Sequence, residues 1–592
     1  MRLLLIHRRV LFLFLGIALA IDVAAQESEI DEFFDDFAAE WVRGNPNQAV
    51  RTRYFSGDEQ NRLEQQLTPQ TEAWQRERIE LARRGLNDLA NFDTPNLTKS
   101  QNGSADVMRW QLETLIEAEP FLGYAFPLQQ FNGANVTLIN ELTVVHPVTT
   151  ERDAANYVAR LGQVDERMAE ATTEAERRSG DGVRPPRFIL QATINQMEQF
   201  LSLQSTDNPL VSTFTTKMQS IGELSIERRQ QLRDEARRIV ENEVYPAWRE
   251  ALAVLRSQLP LTTDDAGLWR FEQGADVYAY QLKRYTTTDL TADEIHQIGL
   301  REVSRLETEM DGLLRQIGLS AGSINDRAIV LETRLGYPLT DEGRERIMAD
   351  IDGIMRDAEA RAIELFDRQP IAQVIARPYP RFRWPSAAAS YTAPPLDGSR
   401  PGVFQMPLRQ NRMTEYRLRT LVYHETVPGH HYHVALMSEN PELPRFRQVR
   451  VYGGISASTE GWALYAERLA AESGWYEGDI EGLIGQLYSA LFRARRLVVD
   501  TGLHTKRWTR QQAIDYGIEP SEVERYVVMP GQACSYMIGQ LKIVELRERA
   551  LQALGDDFSI QEFHNVVLGV GSVPLTILER EVDEYIAGIG TR

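Results

Sequence analysis

Seven prolines between residues 375 and 407 (Pro378, Pro380, Pro385, Pro394, Pro395, Pro401 and Pro407) bar helix through that stretch. Almost everywhere else apolar residues recur at helical spacing. Over residues 30–42, Phe33, Phe34, Phe37 and Trp41 share one face with acids between them, and Asn45 and Pro46 stop the helix. Residues 69–89, 103–116, 153–178, 187–201 and 217–255 repeat the habit, the last kinked or broken at Pro246. Thr291 with Glu294 predicts a capping box, and Thr340 opens a helix that runs on towards Pro370. Two stretches depart from helix. Residues 121–150 are rich in β-branched and aromatic side chains and predict short strands or a buried loop. Inside the proline-rich stretch, residues 387–391 and 402–404 can run extended. The expectation is a mainly α protein with a few short strands.

Composition narrows the function. The 592 residues carry 65 Lys and Arg against 85 Asp and Glu, a net charge of -20. No basic field is available to release counterions, which argues against nucleic acid or an anionic membrane as partner. The one cysteine, Cys534, permits neither an internal disulfide nor a thiolate metal cluster and reads as a small buried residue. At the N-terminus, Arg2, Arg8 and Arg9 precede an apolar run from Val10 to Ile21, then Val23, Ala24 and Ala25. This is the layout of a secretory signal, short for a membrane span, with cleavage expected after Ala25. No cysteine lies near that site to carry a lipid. The expected mature chain is periplasmic or secreted and outside the membrane.

Four of the nine histidines, His424, His430, His431 and His433, fall within LVYHETVPGHHYHVAL. Such clustering points to a metal, and neutral imidazole suits zinc and its neighbours. The opening His-Glu resembles HExxH, but Pro428 stands where the second histidine would be. In a straight helix His424 and His430 lie roughly 120° apart and about 9 Å along the axis. His431 returns to the right face at about 10.5 Å. Neither pair closes on one ion unless the helix yields. Pro428 has no N–H and clashes with the preceding turn, and Gly429 tolerates unusual dihedrals, so a bulge or kink at residues 427–429 can bring His430 beside His424. That keeps Glu425 beside the metal as general base. His431 remains possible on geometry alone.

A third ligand is sought downstream in SASTEGWALYAERLAAESG. Ser458 or Thr459 can cap a helix whose first turn holds Glu460. Glu467, seven residues on, shares its face and suits a partner to a ligand imidazole. LFRARRLVVDTGLHTKRW adds Arg493 and Arg496, able to bind a substrate carboxylate, and His504, placed after a glycine turn to donate to an oxyanion. In MPGQACSYMIGQLKI, Tyr536 can do the same.

RYTTTDLTADEIHQIGLREV, PPLDGSRPGVF, HETVPGHH, EGWALYAE, DTGLH and MPGQACSYMIGQLKI together resemble the bacterial family known as domain of unknown function 885, whose members look like distant gluzincin metallopeptidases. The resemblance implies a fold akin to the carboxypeptidase Taq and oligopeptidase group, with helices in two lobes around a deep cleft. The lobes would be residues 26–258 and 259–592. It implies metal ligands at His424, His430 and Glu460, favouring His430 over His431, with Glu425 as the catalytic carboxylate. It also implies a substrate-lining strand around Tyr391 and the loop carrying Arg400. The expected activity is zinc-dependent cleavage of short peptides. An amidase acting on a non-peptide or cell-wall substrate would use the same residues. The intact Glu425 argues against a non-catalytic binding protein.

Overall fold

The computed structural model describes residues 29–590, apart from 93–95, 380, 382–383, 385–387, 397, 399 and 410–412. The signal segment lies outside the described residues. Helices make up nearly all of the rest. The first, over residues 29–43, buries Phe34, Phe37 and Trp41. Asn45, expected only to stop it, also starts the next helix, Pro46–Thr52, by accepting the Gln48 N–H. Thr291 and Glu294 form the expected capping box of Ala292–Gln316.

Residues 121–150 contain no strand. They form a 3-10 helix (Glu119–Tyr124), a helix (Ala134–Asn140) and a π-helical turn (Glu141–Val145). Their apolar residues Leu138 and Leu142 are fully buried in a helical core, so tertiary packing overrides β propensity. The break expected at Pro246 falls earlier, between helices Pro209–Met218 and Ile226–Ile239; the latter runs on through a π turn at Val240–Val244 into Tyr245–Gln258, the turn lying directly before Pro246.

Three strands stand among the described residues, all in the proline-rich stretch: β1 (Val374–Pro378), β2 (Ser390–Thr392) and β3 (Gly402–Met406). The order is β1-β3-β2, with β1 parallel and β2 antiparallel to β3.

The largest apolar core draws on residues 268–582 together with Val107, and a second on residues 67–255. A third joins the first helix to Phe446 and Val451, tying the chain's start to the loop after the histidine cluster. Among the most extensive packings is that of Ser456–Glu472 on Ser535–Leu554. There Gly461 faces Gly539 so closely that a Cβ on Gly539 would stand 2.0 Å from the Ala457 carbonyl oxygen. This close approach sets the depth of Glu460, the neighbour of Gly461.

Candidate metal centre

Helix Glu415–Glu425 ends with the Thr426 N–H bonded to the Val422 carbonyl at 2.8 Å. Pro428 can offer no N–H to continue it. Thr426 leaves helical geometry (φ -119, ψ -104), the Val427–Pro428 peptide is cis, and helix resumes at His430–Glu439. The interruption is a complete break into two helices, not the bulge or kink expected. At Gly429 the chain folds back on the helix it has just left: a Cβ there would sit 2.0 Å from the His424 carbonyl oxygen and 2.3 Å from that of Tyr423. Only glycine fits. The Trp462 indole N–H donates to the Pro428 carbonyl at 2.9 Å and pins the break.

The break brings the His424 and His430 rings to 4.8 Å, nearly perpendicular. Glu460 arrives from Ser456–Glu472, a helix that begins before Ser458, so Glu460 lies beyond the first turn. Its Oε2 is 3.6 Å from His424 Nε2 and 3.4 Å from His430 Nε2. One ligand atom from each of the three lies within 4.8 Å of the others. Glu460 Oε2 is buried and has no hydrogen-bond partner, as a carboxylate oxygen facing a cation should be. Two imidazoles and a carboxylate can coordinate a divalent metal such as zinc. Burial favours the neutral carboxyl, yet the two imidazoles hold Glu460 well below the usual carboxylate range.

His424 Nδ1 donates to Glu467 Oε1 at 2.7 Å, which turns its Nε2 towards Glu460. Burial opposes a charge on His424, but the neighbouring carboxylates of Glu460 and Glu467 raise it to about 9. Glu425 is buried, with Oε2 unpartnered. Burial raises its carboxyl above the ordinary range, and His430 and His424 draw it back only in part. Arg493 reaches the same corner, 3.8 Å from Glu467 Oε1, and is held by Ser489. Tyr536 is half-buried; Glu460, after burial itself, is the largest influence raising its hydroxyl, and Arg496 lies over its ring at 4.4 Å.

Other expected site residues stand elsewhere or are otherwise engaged. His431 Nε2 donates to the Ala372 carbonyl at 3.0 Å and Nδ1 accepts from the Tyr391 hydroxyl at 2.9 Å, so it braces the sheet and has no nitrogen left for a metal. Tyr391 is thereby committed as well, while Arg400 is exposed on the β2–β3 loop. His433 is buried, with Nδ1 unpartnered. Arg496, expected to bind substrate, donates instead to Glu522 at 3.0 Å and Tyr526 at 3.1 Å. His504 is corrected too. Gly502 is no turn but part of helix Ile480–Thr505. His504 Nδ1 accepts the Leu268 N–H at 3.2 Å and Nε2 donates to the Tyr526 carbonyl at 3.1 Å, leaving nothing for an oxyanion. Gly539, Ser489 and the Ala372 carbonyl also shape the site and stand outside the expected residues. A glycine on an apolar helix face was the one available signal, and it marks Gly539.

Asp500, beside this region, makes no ion pair among the described residues. Its Oδ1 accepts from the Tyr278 hydroxyl at 2.6 Å and the Gly531 N–H at 3.0 Å, while Oδ2 is unpartnered. Burial dominates and lifts it to about 7, against those two bonds. The fold therefore holds this proton more tightly than the unfolded chain. The stabilisation is fully present below the unfolded value of 3.8 and is lost as pH rises through about 7. Relative to Asp500→Asn, the wild type should lose on the order of 3 kcal/mol of stability between about pH 4 and pH 8. Paired urea melts measure this; parallel pH profiles would rule out a buried proton at Asp500.

These features define a mainly helical protein with a buried His-His-Glu cluster able to hold a divalent ion. The chain belongs to the family described as bacterial protein of unknown function (DUF885), whose model matches residues 48–582. A crystal structure from Colwellia psychrerythraea, described as that of a candidate lipoprotein, is 31% identical; the match covers 95% of this chain and 99% of that one, with a TM-score of 0.90. Another, from Shewanella oneidensis and described as a candidate lipoprotein of unknown function, is 18% identical over 93% and 99% of the two chains, with a TM-score of 0.68, and shows the fold alone. No curated protein matches. Among the described residues no helix is long and apolar enough to cross a membrane.

Proposed function

We propose that the chain is a metal-dependent hydrolase of short peptides, related to the gluzincin metallopeptidases. The observation that carries this reading is a buried carboxylate, Glu425, with an unpartnered oxygen, next in sequence to one histidine of a three-residue metal cluster. His424, His430 and Glu460 hold the ion, zinc in the first instance. When bound, the ion supplies Lewis acidity for the scissile carbonyl and the attacking water. Glu425 accepts the proton of that water and returns it to the leaving amine, a task suited to a carboxyl raised above its ordinary range. Glu467 fixes the tautomer and direction of His424. Tyr536 donates its hydroxyl to the developing oxyanion, and Arg493 offsets the acidity of the corner it shares with Glu467.

The two lobes, residues 26–258 and 259–592, close on a cleft that admits short or unfolded peptides. A core confined to residues 67–255 supports this division, while the first helix packs across it on Phe446. The protein works outside the cytoplasm, in keeping with the layout of residues 1–25 and with the description of the Colwellia relative. No cysteine lies near Ala25, and Cys534 is buried. The test is turnover of a short-peptide library by residues 26–592 with metal content measured alongside. A stoichiometric metal without cleavage of any peptide would overturn the peptidase reading.

A further inference from the structure

A cavity of about 670 Å³ lies between the first helices of the chain and the loop over residues 449–454, outside the metal cluster. Trp41 and Trp74 contribute flat apolar wall, while Asn47, Gln48 and Gln70 contribute amides. Four of its lining residues are charged: Arg51, Arg178, Arg450 and Glu141. In a chain whose net charge is -20, this concavity carries an excess of positive charge.

The three arginines differ in what they already hold. Arg51 pairs with Glu141. Arg178 lies 3.5 Å from Glu174 and donates to the Ala125 carbonyl at 2.7 Å. The Arg450 guanidinium has no hydrogen bond or ion pair among the described residues. Its backbone is left-handed, at φ 54, a conformation that a residue with a side chain rarely adopts unless its surroundings impose it. The surroundings here are firm. Val451 is buried, its N–H donates to the Phe446 carbonyl at 2.9 Å, and its own carbonyl accepts from the Gln48 side chain. A half-buried, unpaired guanidinium has lost water without gaining a partner, and a planar anion is the ligand that would restore both.

Arg450 also acts electrostatically on the neighbourhood of the metal helix. Its charge is felt by Tyr391, the partner of His431, and by His433. His433 is three residues beyond His430, about 4.5 Å along the helix. The Arg450 charge is thus felt along the helix that carries His430. We propose that this cavity receives the carboxylate-bearing end of a short peptide, and that Arg450 reads that carboxylate bidentately while the amides and indoles of the wall take up the adjoining residues. The proposal rests on the hydrolase reading for where the scissile bond lies. The carboxylate could be the free C-terminus or an acidic side chain, and the chemistry of recognition is the same.

The test does not need turnover. The full mature chain carrying Glu425→Gln is titrated calorimetrically with trialanine, trialanine amide and Ala-Glu-Ala amide, with and without Arg450→Ala or Arg450→Lys. Trialanine is expected to bind about 30-fold more tightly than its amide, the ratio a charge-assisted pair supports. Arg450→Ala should erase that preference and Arg450→Lys should keep part of it, with both variants melting near the parent. Tight binding of Ala-Glu-Ala amide that is lost in Arg450→Ala would assign the carboxylate to a side chain. Equal binding of all three peptides, no binding of any, or a preference that survives Arg450→Ala would overturn the proposal. Each of these results stands apart from the hydrolase reading, which is decided by cleavage in the wild type.

Discussion

Glu425→Gln should retain the full complement of metal and lower kcat on short peptides by about 10³-fold, the span that general acid–base catalysis contributes. The amide has nearly the shape of the carboxylate it replaces, so the last turn of helix Glu415–Glu425 and the return at Gly429 need not move. What disappears is the ability to accept a proton. None of the metal cluster's three side chains is altered, so elemental analysis of the variant serves as the internal control. Activity above a tenth of wild type would place the base on another residue, and metal loss would mean that Glu425 helps to hold the ion.

Gly429→Ala should be severely damaging to the ligand cluster. Its Cβ would lie 2.0 Å from one carbonyl oxygen and 2.3 Å from another, both main-chain atoms of the helix end that carries His424. Neither can rotate away as a side chain can. Overpacking of this sort costs about 1–3 kcal/mol and occasionally more, and here relief requires separating the two helices whose approach makes the ligand cluster. The expected result is a melting temperature lowered by several degrees and metal affinity reduced at least about tenfold, read by competition with a chromophoric chelator. A variant with wild-type metal affinity would show that the His424–His430 approach does not depend on the return at Gly429.

The helical character of the chain was legible because it is local: periodicity, Thr291 with Glu294, and the proline run each act within a few residues. So was the need for an interruption between His424 and His430, since Pro428 bars helix whatever surrounds it. Its form was not. Whether a proline bulges, kinks or breaks a helix depends on what the return packs against, here the Tyr423 and His424 carbonyls and the indole of Trp462. Helical arithmetic alone left His431 open. Its exclusion comes from Ala372 and Tyr391, some 59 and 40 residues away. His504 was misread for the same reason, as its Nδ1 partner Leu268 is 236 residues distant. Residues 121–150 show the complementary failure, a local β propensity overridden by a helical core. Arg450 carried no sequence signal at all, because an unpaired guanidinium can be recognised only after the paired ones have been found.

The proposed chemistry requires that His424, His430 and Glu460 together hold an ion. Residues 26–592, purified without chelator and compared with His430→Ala by elemental analysis, test it directly. About one zinc, cobalt or manganese per chain, lost in the variant, is the predicted result. No stoichiometric metal in the wild type, even after soaking in zinc, would contradict it and leave the buried histidines as structure alone.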